Sequence, residues 1–144
     1  RVLGAALGAA AVWSALLLGR DAAGVELLPP LVARARRLAD GHARGGAGDV
    51  AFEAADATTA DGGADGGAAM IWANDFAWPE PAQRALEREA ARALRDDGCL
   101  VLYRAPHDAA AWRVVETVVA AVSWNPELRF HIARKNGGAE DRGR

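Results

Sequence analysis

Residues 71–80 join an apolar run to an Asn-Asp-aromatic segment and a proline. The apolar run predicts a buried strand, and the polar residues after it would lie at the carboxyl end of that strand, where open α/β sheets bind ligands. The amide of Asn74 offers both a hydrogen-bond donor and an acceptor. We therefore predict that Asn74 contacts a cofactor or an incoming amine.

Two acidic residues follow other predicted strands. Glu26 lies at the end of a short strand that begins at Ala22, and a carboxylate there can accept two hydrogen bonds from adjacent ribose hydroxyls. An acid favoured by the dipole of the next helix is the structural alternative. Asp56 follows the strand predicted at 50–55, where it could accept a hydrogen bond from an adenine amino group or form an Asx turn.

Gly4 and Gly8 lie in the turn that would join the first strand to the first helix. Glycine has no Cβ, so the backbone can approach a ligand closely at these positions. Two glycines in an alanine-rich segment are a weak signal by themselves. Both residues are nevertheless candidates for binding a cofactor.

Tryptophan is in excess among the aromatic residues, since the sequence has five Trp, one Tyr and three Phe. Aromatic side chains are usually part of the core. They could instead line a channel in which cation–π and apolar contacts guide an alkylammonium group and remove its water. The candidates for such a channel are Trp72, Phe76, Trp78, Trp124 and Phe130.

The composition is that of a globular protein, since 51% of the 144 residues are hydrophobic and 25% are charged. The formal net charge of −2 argues against a wholly basic nucleic-acid-binding module. A basic cluster near the C-terminus could still touch an acidic partner. It comprises Arg129, Arg134, Lys135, Arg142 and Arg144.

Cysteine and histidine give no sign of a metal site. Cys99 is the single cysteine of the sequence, which excludes an internal disulfide and indicates a reducing compartment. The three histidines have no ligand spacing and no cysteine partner, so we predict no bound metal. They are His42, His107 and His131.

The apolar segment 2–18 admits two interpretations. It follows Arg1 and could be the core of a signal peptide or a short membrane span. The glycines near its start and the strand-like sequence after it favour a strand end, a turn and a buried helix. We predict this second arrangement and no contact with a membrane.

Strands and helices alternate along the chain. Strands are predicted at 1–3, 22–27, 50–55, 68–73, 99–103, 114–124 and 128–133. Helices are predicted at 8–18, 29–38 and 81–95, and Gly-rich loops at 41–48 and 61–67. The alternation predicts a three-layer αβα, Rossmann-like fold with a mostly parallel sheet, while Asn125-Pro126 predicts a turn that makes the last two strands an antiparallel hairpin. This α/β architecture is that of class I methyltransferases.

Four segments resemble, in the same order, the catalytic domain of the disruptor-of-telomeric-silencing family, the non-SET histone-lysine methyltransferases. They are residues 3–8, 24–26, 72–80 and 114–124. The family has Asn-Asn-Phe-Ala-Phe where this chain has Asn-Asp-Phe-Ala-Trp, and it shares the Val-Ser-Trp found here at 122–124. The chain has Val2, Ala6, Asp75 and Phe130 where the family has an acid, a glycine, an asparagine and a tyrosine.

The resemblance implies specific roles for the candidate residues. S-adenosylmethionine would bind across Gly4, Gly8, Glu26, Asp56 and Asn74. A channel for the lysine amine would be lined by Asn74, Trp72, Trp124 and Phe130.

The resemblance also implies a protein substrate, in particular a histone of the nucleosome core, and a nuclear location. We expect no strong direct contact with nucleic acid, and a monomer in which residues 1–135 form the catalytic domain and 136–144 a flexible basic tail. Two alternatives stay open. One is a class I methyltransferase for another protein or a small molecule, and the other is a catalytically silent methyltransferase-like interaction domain.

Overall fold

The computed structural model describes residues 1–6, 8–42, 48–59, 67–122 and 125–137, and of His42 only the backbone. The predictions for Ser123 and Trp124, for most of both Gly-rich loops and for the chain from residue 138 therefore lie outside the described residues. The chain divides into two compact units, Arg1–Gly62 and Gly63–Arg144. Each unit is described by itself.

The first unit alternates strands and helices as predicted. Its elements are β1 (Val2–Leu3), α1 (Ala9–Leu18), β2 (Ala22–Glu26), α2 (Pro29–His42) and β3 (Val50–Ala54). The three strands are parallel and follow the order β3-β2-β1. Parallel pairing needs a crossover between consecutive strands, and the two helices provide it. The carboxyl ends of β1, β2 and β3 therefore lie on the same side of this unit.

The core of the first unit forms where both helices pack on β3. Phe52 of β3 is buried among small residues of α1 and α2, among them Ala11 and Ala35, which are fully buried. The guanidinium of Arg36 donates to the carbonyl oxygen of Phe52 at 2.7 Å through Nη2. Helix α2 extends to His42, four residues beyond its predicted end at Leu38, because the longer helix buries Ala39 in the same core.

Helix α1 is apolar on all sides but has only 10 residues. Ala11, Val12 and Ala15 are buried, whereas Trp13 and Leu17 are 61% and 75% exposed. Among the described residues, the model contains no helix whose length and apolar character would let it span a membrane.

The second unit begins with a parallel pair and ends in a long hairpin. Its elements are β4 (Ala68–Ala73), α3 (Glu80–Ala93), β5 (Leu94–Leu102), β6 (Trp112–Val122) and β7 (Asn125–Lys135). The strand order is β4-β5-β7-β6. Strand β5 is parallel to β4 and antiparallel to β7, which is in turn antiparallel to β6.

Two predicted boundaries in this unit are wrong. Helix α3 ends at Ala93 rather than at Arg95, and β5 begins at Leu94 rather than at Cys99. Leu94 is extended and pairs with Ala68, and it is only 2% exposed. Burial of this leucine against the sheet therefore overrides the turn signal of Asp97-Gly98, which lies within the strand.

The hairpin is also longer than predicted. Strand β7 runs from Asn125 to Lys135, so Asn125 and Pro126 belong to the strand instead of forming the turn. Val122 pairs with Asn125. A proline is tolerated there because it is close to the first residue of the strand.

The pairings confirm the predicted fold class, a mixed α/β protein with mostly parallel strands and an antiparallel C-terminal hairpin. Asn136, at the start of the predicted tail, donates through Nδ2 to the carbonyl oxygens of Ala109 and Ala110 at 3.0 and 2.9 Å.

Candidate functional site

The turn between β1 and α1 has an unusual backbone. Gly4, Ala6 and Gly8 all have positive φ angles, 66°, 49° and 82°. Glycine adopts this region without penalty, whereas an alanine there costs about 1–2 kcal/mol. Three positive φ angles so close together turn the chain sharply directly before the first turn of α1. The turn that sequence alone marked only weakly is therefore a defined structure.

Glu26 holds this turn in place. Its Oε2 accepts a hydrogen bond from the backbone N–H of Ala6 at 2.8 Å, and its Oε1 accepts one from Leu28 at 3.1 Å. The side chain is half-buried at the carboxyl end of β2. Each carboxylate oxygen can accept more than one hydrogen bond, so both can still take a hydroxyl donor. The arrangement orients an acceptor pair of the kind that a ribose diol requires.

Gly8 and Gly24 leave the space that the Phe52 ring occupies. A Cβ added to Gly8 would lie 2.6 Å from both Ala35 Cβ and Phe52 Cζ, and one added to Gly24 would lie 2.5 Å from the Phe52 ring. Gly8 is thus needed for packing and for its positive φ.

Asp56 forms the Asx turn that sequence analysis offered as the alternative. Its Oδ1 accepts hydrogen bonds from the backbone N–H and the hydroxyl of Thr58, at 2.8 and 2.7 Å. These bonds lower the pKa of the Asp56 carboxyl below its ordinary value. The residue is exposed, and the backbone N–H of Ala55 donates to the carbonyl oxygen of Glu26 at 3.1 Å. Asp56 therefore lies just after the end of β3, next to the end of β2 that carries Glu26. Its carboxylate is ionised and exposed, and it can accept hydrogen bonds.

In the second unit, Asn74 and Asp75 have opposite environments. Asn74 is exposed directly after β4, as predicted. Asp75 is only 1% exposed, and its Oδ1 accepts a hydrogen bond from the backbone N–H of Tyr103 at 2.9 Å. Gln83 Nε2 donates to Oδ2 and to the carbonyl oxygen of Asp75, both at 3.2 Å. Burial raises the pKa of the Asp75 carboxyl, against the opposing effect of these hydrogen bonds.

Arg104 fastens the segment that follows Asn74. Its Nη2 donates to the carbonyl oxygen of Phe76 at 2.8 Å, and its Nη1 lies 3.3 Å from Gln83 Oε1. Gln83 thus connects the Arg104 guanidinium to the buried Asp75. Asn74 is therefore followed by a segment held by three side chains, none of which sequence analysis singled out for that role.

Four aromatic rings form a cluster in the second unit, which we call the aromatic cluster: Trp72, Phe76, Tyr103 and Phe130. Trp72 and Phe130 are in edge contact at 5.7 Å between ring centroids, and Tyr103 lies 5.1 Å from Phe130 and 6.0 Å from Phe76. Phe76 is 48% exposed and the other three rings are half-buried. The structure thus brings together three of the predicted channel candidates, Trp72, Phe76 and Phe130, while Trp124 lies outside the described residues.

Tyr103 is the member of this cluster that sequence analysis missed. The register pairs Trp72 with Val101, and Val101 with Ile132. Residues two positions apart share a face of a sheet, so Tyr103 and Phe130 lie on the face of Trp72. Alternation along 99–103 could have indicated this, but the predicted strand ended at Tyr103 without a partner for its ring.

Outside these clusters, the buried Glu87 carboxylate contacts the His107 imidazole. Glu87 is 4% exposed, and its Oε1 lies 2.9 Å from His107 Nδ1 and accepts the His107 backbone N–H at the same distance. This contact ties the segment after β5 to α3. Within the described ranges, no group of three or more His, Cys, Asp or Glu side chains could hold a metal ion.

The sequence matches no family model and no curated protein. The structure, in contrast, is similar to many solved structures. One comes from work on the conversion of a disulfide bond into a thioacetal group during echinomycin biosynthesis, with 16% identity and a TM-score of 0.71 over 98% of this chain and 77% of that one. A TehB-like SAM-dependent methyltransferase from Corynebacterium glutamicum is 15% identical, with a TM-score of 0.68 over 94% of this chain and 79% of that one.

A ribosomal protein L11 methylase from Lactobacillus delbrueckii subsp. bulgaricus is 17% identical, with a TM-score of 0.68 over 94% of this chain and 69% of that one. The structure of MtNAS in complex with S-adenosylmethionine is 17% identical, with a TM-score of 0.67 over 93% of this chain. This chain spans about half of that protein's length, 53%. At such identities the likeness shows a shared fold alone, the mixed α/β, Rossmann-like fold of these neighbours. It does not single out the family that the four segments resemble.

Proposed function

We propose that this chain binds S-adenosylmethionine and transfers its methyl group to an amine. The observation that carries the proposal is the hydrogen bond between Glu26 and Ala6, since it sets a carboxylate at the carboxyl end of β2 against a tight turn after β1. The fold in which this pair occurs is shared with proteins described as SAM-dependent methyltransferases. A ribose diol next to a glycine turn is the ligand that this chemistry fits best.

The first unit has groups suited to the adenosine part of the cofactor. Glu26 would accept the ribose hydroxyls, and Asp56 would accept the adenine amino group through the carboxylate that it keeps ionised. Gly4 and Gly8 would allow the backbone of the turn to come close to the ligand. By the resemblance of segment 72–80, Asn74 is proposed to bind the methionine part. The bound cofactor would supply a methyl group on a positively charged sulfur.

The aromatic cluster supports an amine as the acceptor. Methyl transfer needs a neutral amine with its lone pair free, so the protein must orient the amine and exclude water from it. Half-buried rings such as Trp72 and Phe130 provide an apolar wall and can also attract the alkylammonium form on its approach. We propose a protein lysine as that amine, on a histone by the resemblance of segments 72–80 and 114–124, and with it a monomeric nuclear enzyme.

Calorimetric titration with S-adenosylmethionine tests the cofactor assignment. We expect saturable binding, and we expect Glu26→Gln to weaken it about tenfold or more because a charged acceptor is replaced by a neutral one. Glu53→Gln is the matched control, since Glu53 is exposed on the neighbouring strand β3. Melting curves of both variants separate loss of binding from loss of the fold. Absence of binding to the folded wild-type chain would refute the proposal.

Transfer of a labelled methyl group tests the acceptor. The chain is incubated with labelled S-adenosylmethionine and either nucleosomes, free histones or small amines. Label on nucleosomal histone lysine is expected, and label on the other acceptors alone would instead support a methyltransferase of different specificity. Cofactor binding without transfer to any of them would favour the silent interaction domain.

A further inference from the structure

We propose that Arg104 is a positioning residue for the cofactor, because its guanidinium holds the backbone after Asn74 in one conformation and so sets how the Asn74 amide meets the methionine part. This inference rests on the proposed function and adds an exposed residue to it. The contacts that carry it join Arg104 to three residues that follow Asn74, which are Phe76, Trp78 and Gln83.

Residues 75–78 form a β-turn directly after Asn74. The backbone N–H of Trp78 donates to the carbonyl oxygen of Asp75 at 3.0 Å, which is the bond between the first and fourth residues that closes such a turn. Pro79 follows the turn and is the N-cap of α3. The backbone therefore has a defined path from the end of β4 to the start of α3.

Arg104 contacts this turn through two of its nitrogen atoms. Its Nη2 donates to the carbonyl oxygen of Phe76 at 2.8 Å, and its Nη1 lies 3.5 Å from the carbonyl oxygen of Trp78 and 3.3 Å from Gln83 Oε1. A guanidinium is planar and presents five N–H donors in a fixed fork, so it can bond to acceptors of several residues at once. Arg104 thus connects the turn to α3, which contains Gln83.

The turn has a buried support as well as an exposed one, and the two differ in what their loss would change. Asp75 is 1% exposed and accepts the backbone N–H of Tyr103 at 2.9 Å, so its removal disturbs the interior of the second unit. Arg104 is exposed, so a shorter side chain there leaves no cavity in the core. Loss of Arg104 should therefore loosen the turn while the fold is retained.

Asn74 is the residue whose geometry depends on the turn. It is exposed between Ala73, which is fully buried at the end of β4, and the buried Asp75. A binding group that is already held in its productive geometry avoids the cost of ordering when the ligand arrives. Arg104 contributes to the affinity for the cofactor in this way, through the backbone of the turn.

Calorimetric titration with S-adenosylmethionine tests this role. We expect Arg104→Ala to bind the cofactor about fivefold more weakly than the wild-type chain. Arg104→Lys keeps the charge and one donor nitrogen, and it should lose only about two- to threefold. Arg84→Ala is the matched control, since it removes the same charge from an exposed residue of α3 that pairs with Glu80 at 2.8 Å. It should bind within about 1.5-fold of the wild-type chain.

Hydrogen exchange of the free chain tests the backbone of the turn without the cofactor. The N–H of Trp78 closes the turn, and its exchange should be at least about threefold faster in Arg104→Ala than in the wild-type chain or Arg84→Ala. Melting curves show whether each variant keeps the fold. We expect the melting temperature of Arg104→Ala to fall by no more than about 4 °C.

The outcomes separate this inference from the proposed function. Absence of binding to the folded wild-type chain would refute the proposed function and this inference with it. Equal affinity of the wild-type chain and Arg104→Ala, or unchanged exchange of the Trp78 N–H, would overturn this inference alone. A loss of affinity as large in Arg84→Ala would also overturn it, because the effect would then be one of charge. If Arg104→Ala does not fold, wild-type affinity in a folded Arg104→Lys chain would be decisive against the role.

Discussion

The buried carboxylate of Asp75 accepts the backbone N–H of Tyr103 at 2.9 Å and so joins the segment after β4 to the end of β5. The same carboxylate accepts a hydrogen bond from Gln83 near the start of α3. The Asp75 side chain thus fixes the backbone between the exposed residues Asn74 and Phe76. The geometry of the aromatic cluster depends on it, because Tyr103 contributes one of the four rings.

Removal of this carboxylate should destabilise the protein. Asp75→Ala leaves the Tyr103 N–H without its acceptor and removes one of the two acceptors of the Gln83 amide, and we expect a loss of roughly 2–3 kcal/mol in the free energy of unfolding. Asp75→Asn keeps one acceptor oxygen and should lose about half as much. Urea denaturation measures both changes. Asp97→Ala, which removes an exposed carboxylate paired with Arg95, should change stability by less than about 0.5 kcal/mol.

The pH dependence of stability should carry the signature of Asp75. Burial raises the pKa of its carboxyl above the ordinary value of 3.8, so the folded chain binds this proton more tightly than the unfolded chain does. The proton-linked stability is complete below the unfolded pKa and is lost as the pH rises through the folded pKa. Denaturation across this range should show the wild-type chain losing stability relative to Asp75→Asn as the pH rises above about 4. A difference that instead grows in favour of the wild-type chain would contradict the direction of the shift.

Two glycines with positive φ should respond differently to alanine. Gly8→Ala combines an unfavourable φ of 82° with a Cβ 2.6 Å from Ala35 and Phe52, so we expect a loss of roughly 2–4 kcal/mol. Gly19→Ala has a φ of 57° but no atom within 4 Å of the new Cβ, and should cost only about 1 kcal/mol. Chemical denaturation of the two variants compares them directly. Equal losses would show that packing around Phe52 is looser than described.

Ala6→Gly should stabilise the chain. Ala6 has a φ of 49°, and glycine would relieve that strain while losing more backbone entropy on folding, for a net gain of roughly 0.5–1 kcal/mol. The hydrogen bond to Glu26 uses the backbone N–H and is kept. Ala5→Gly is the contrasting variant, because Ala5 is 6% exposed in the core and has no positive φ, and it should be destabilised by about 1 kcal/mol. Thermal melts would reveal the opposite signs.

The fold could be predicted in large part because its elements have local signals. Pro29 and Pro30 mark the start of α2, and the apolar run before Asn74 marks β4. The boundaries that were wrong depend on burial that no local pattern shows. Leu94 becomes part of β5 because it packs against the sheet, and neighbouring charged residues give no indication of this.

The candidate site could be predicted only where a residue with suitable chemistry lies at the end of a predicted strand. Glu26 and Asn74 lie where the sequence placed them, at the ends of β2 and β4. The burial of Asp75 was not predictable, because its partners Gln83 and Tyr103 are 8 and 28 residues away along the chain. A carboxylate in a loop next to an exposed asparagine looks solvent-facing until those partners are known.

The hairpin of β6 and β7 also bears on the order in which the second unit assembles. Its pairs begin with Val122 and Asn125, which are three positions apart in the sequence, so they form at small entropic cost. Strands β4 and β5 must instead wait for the 14 residues of α3 between them. We therefore expect the hairpin to form first, within about 1–10 μs, and the free edge of β7 to serve as the template on which β5 then aligns.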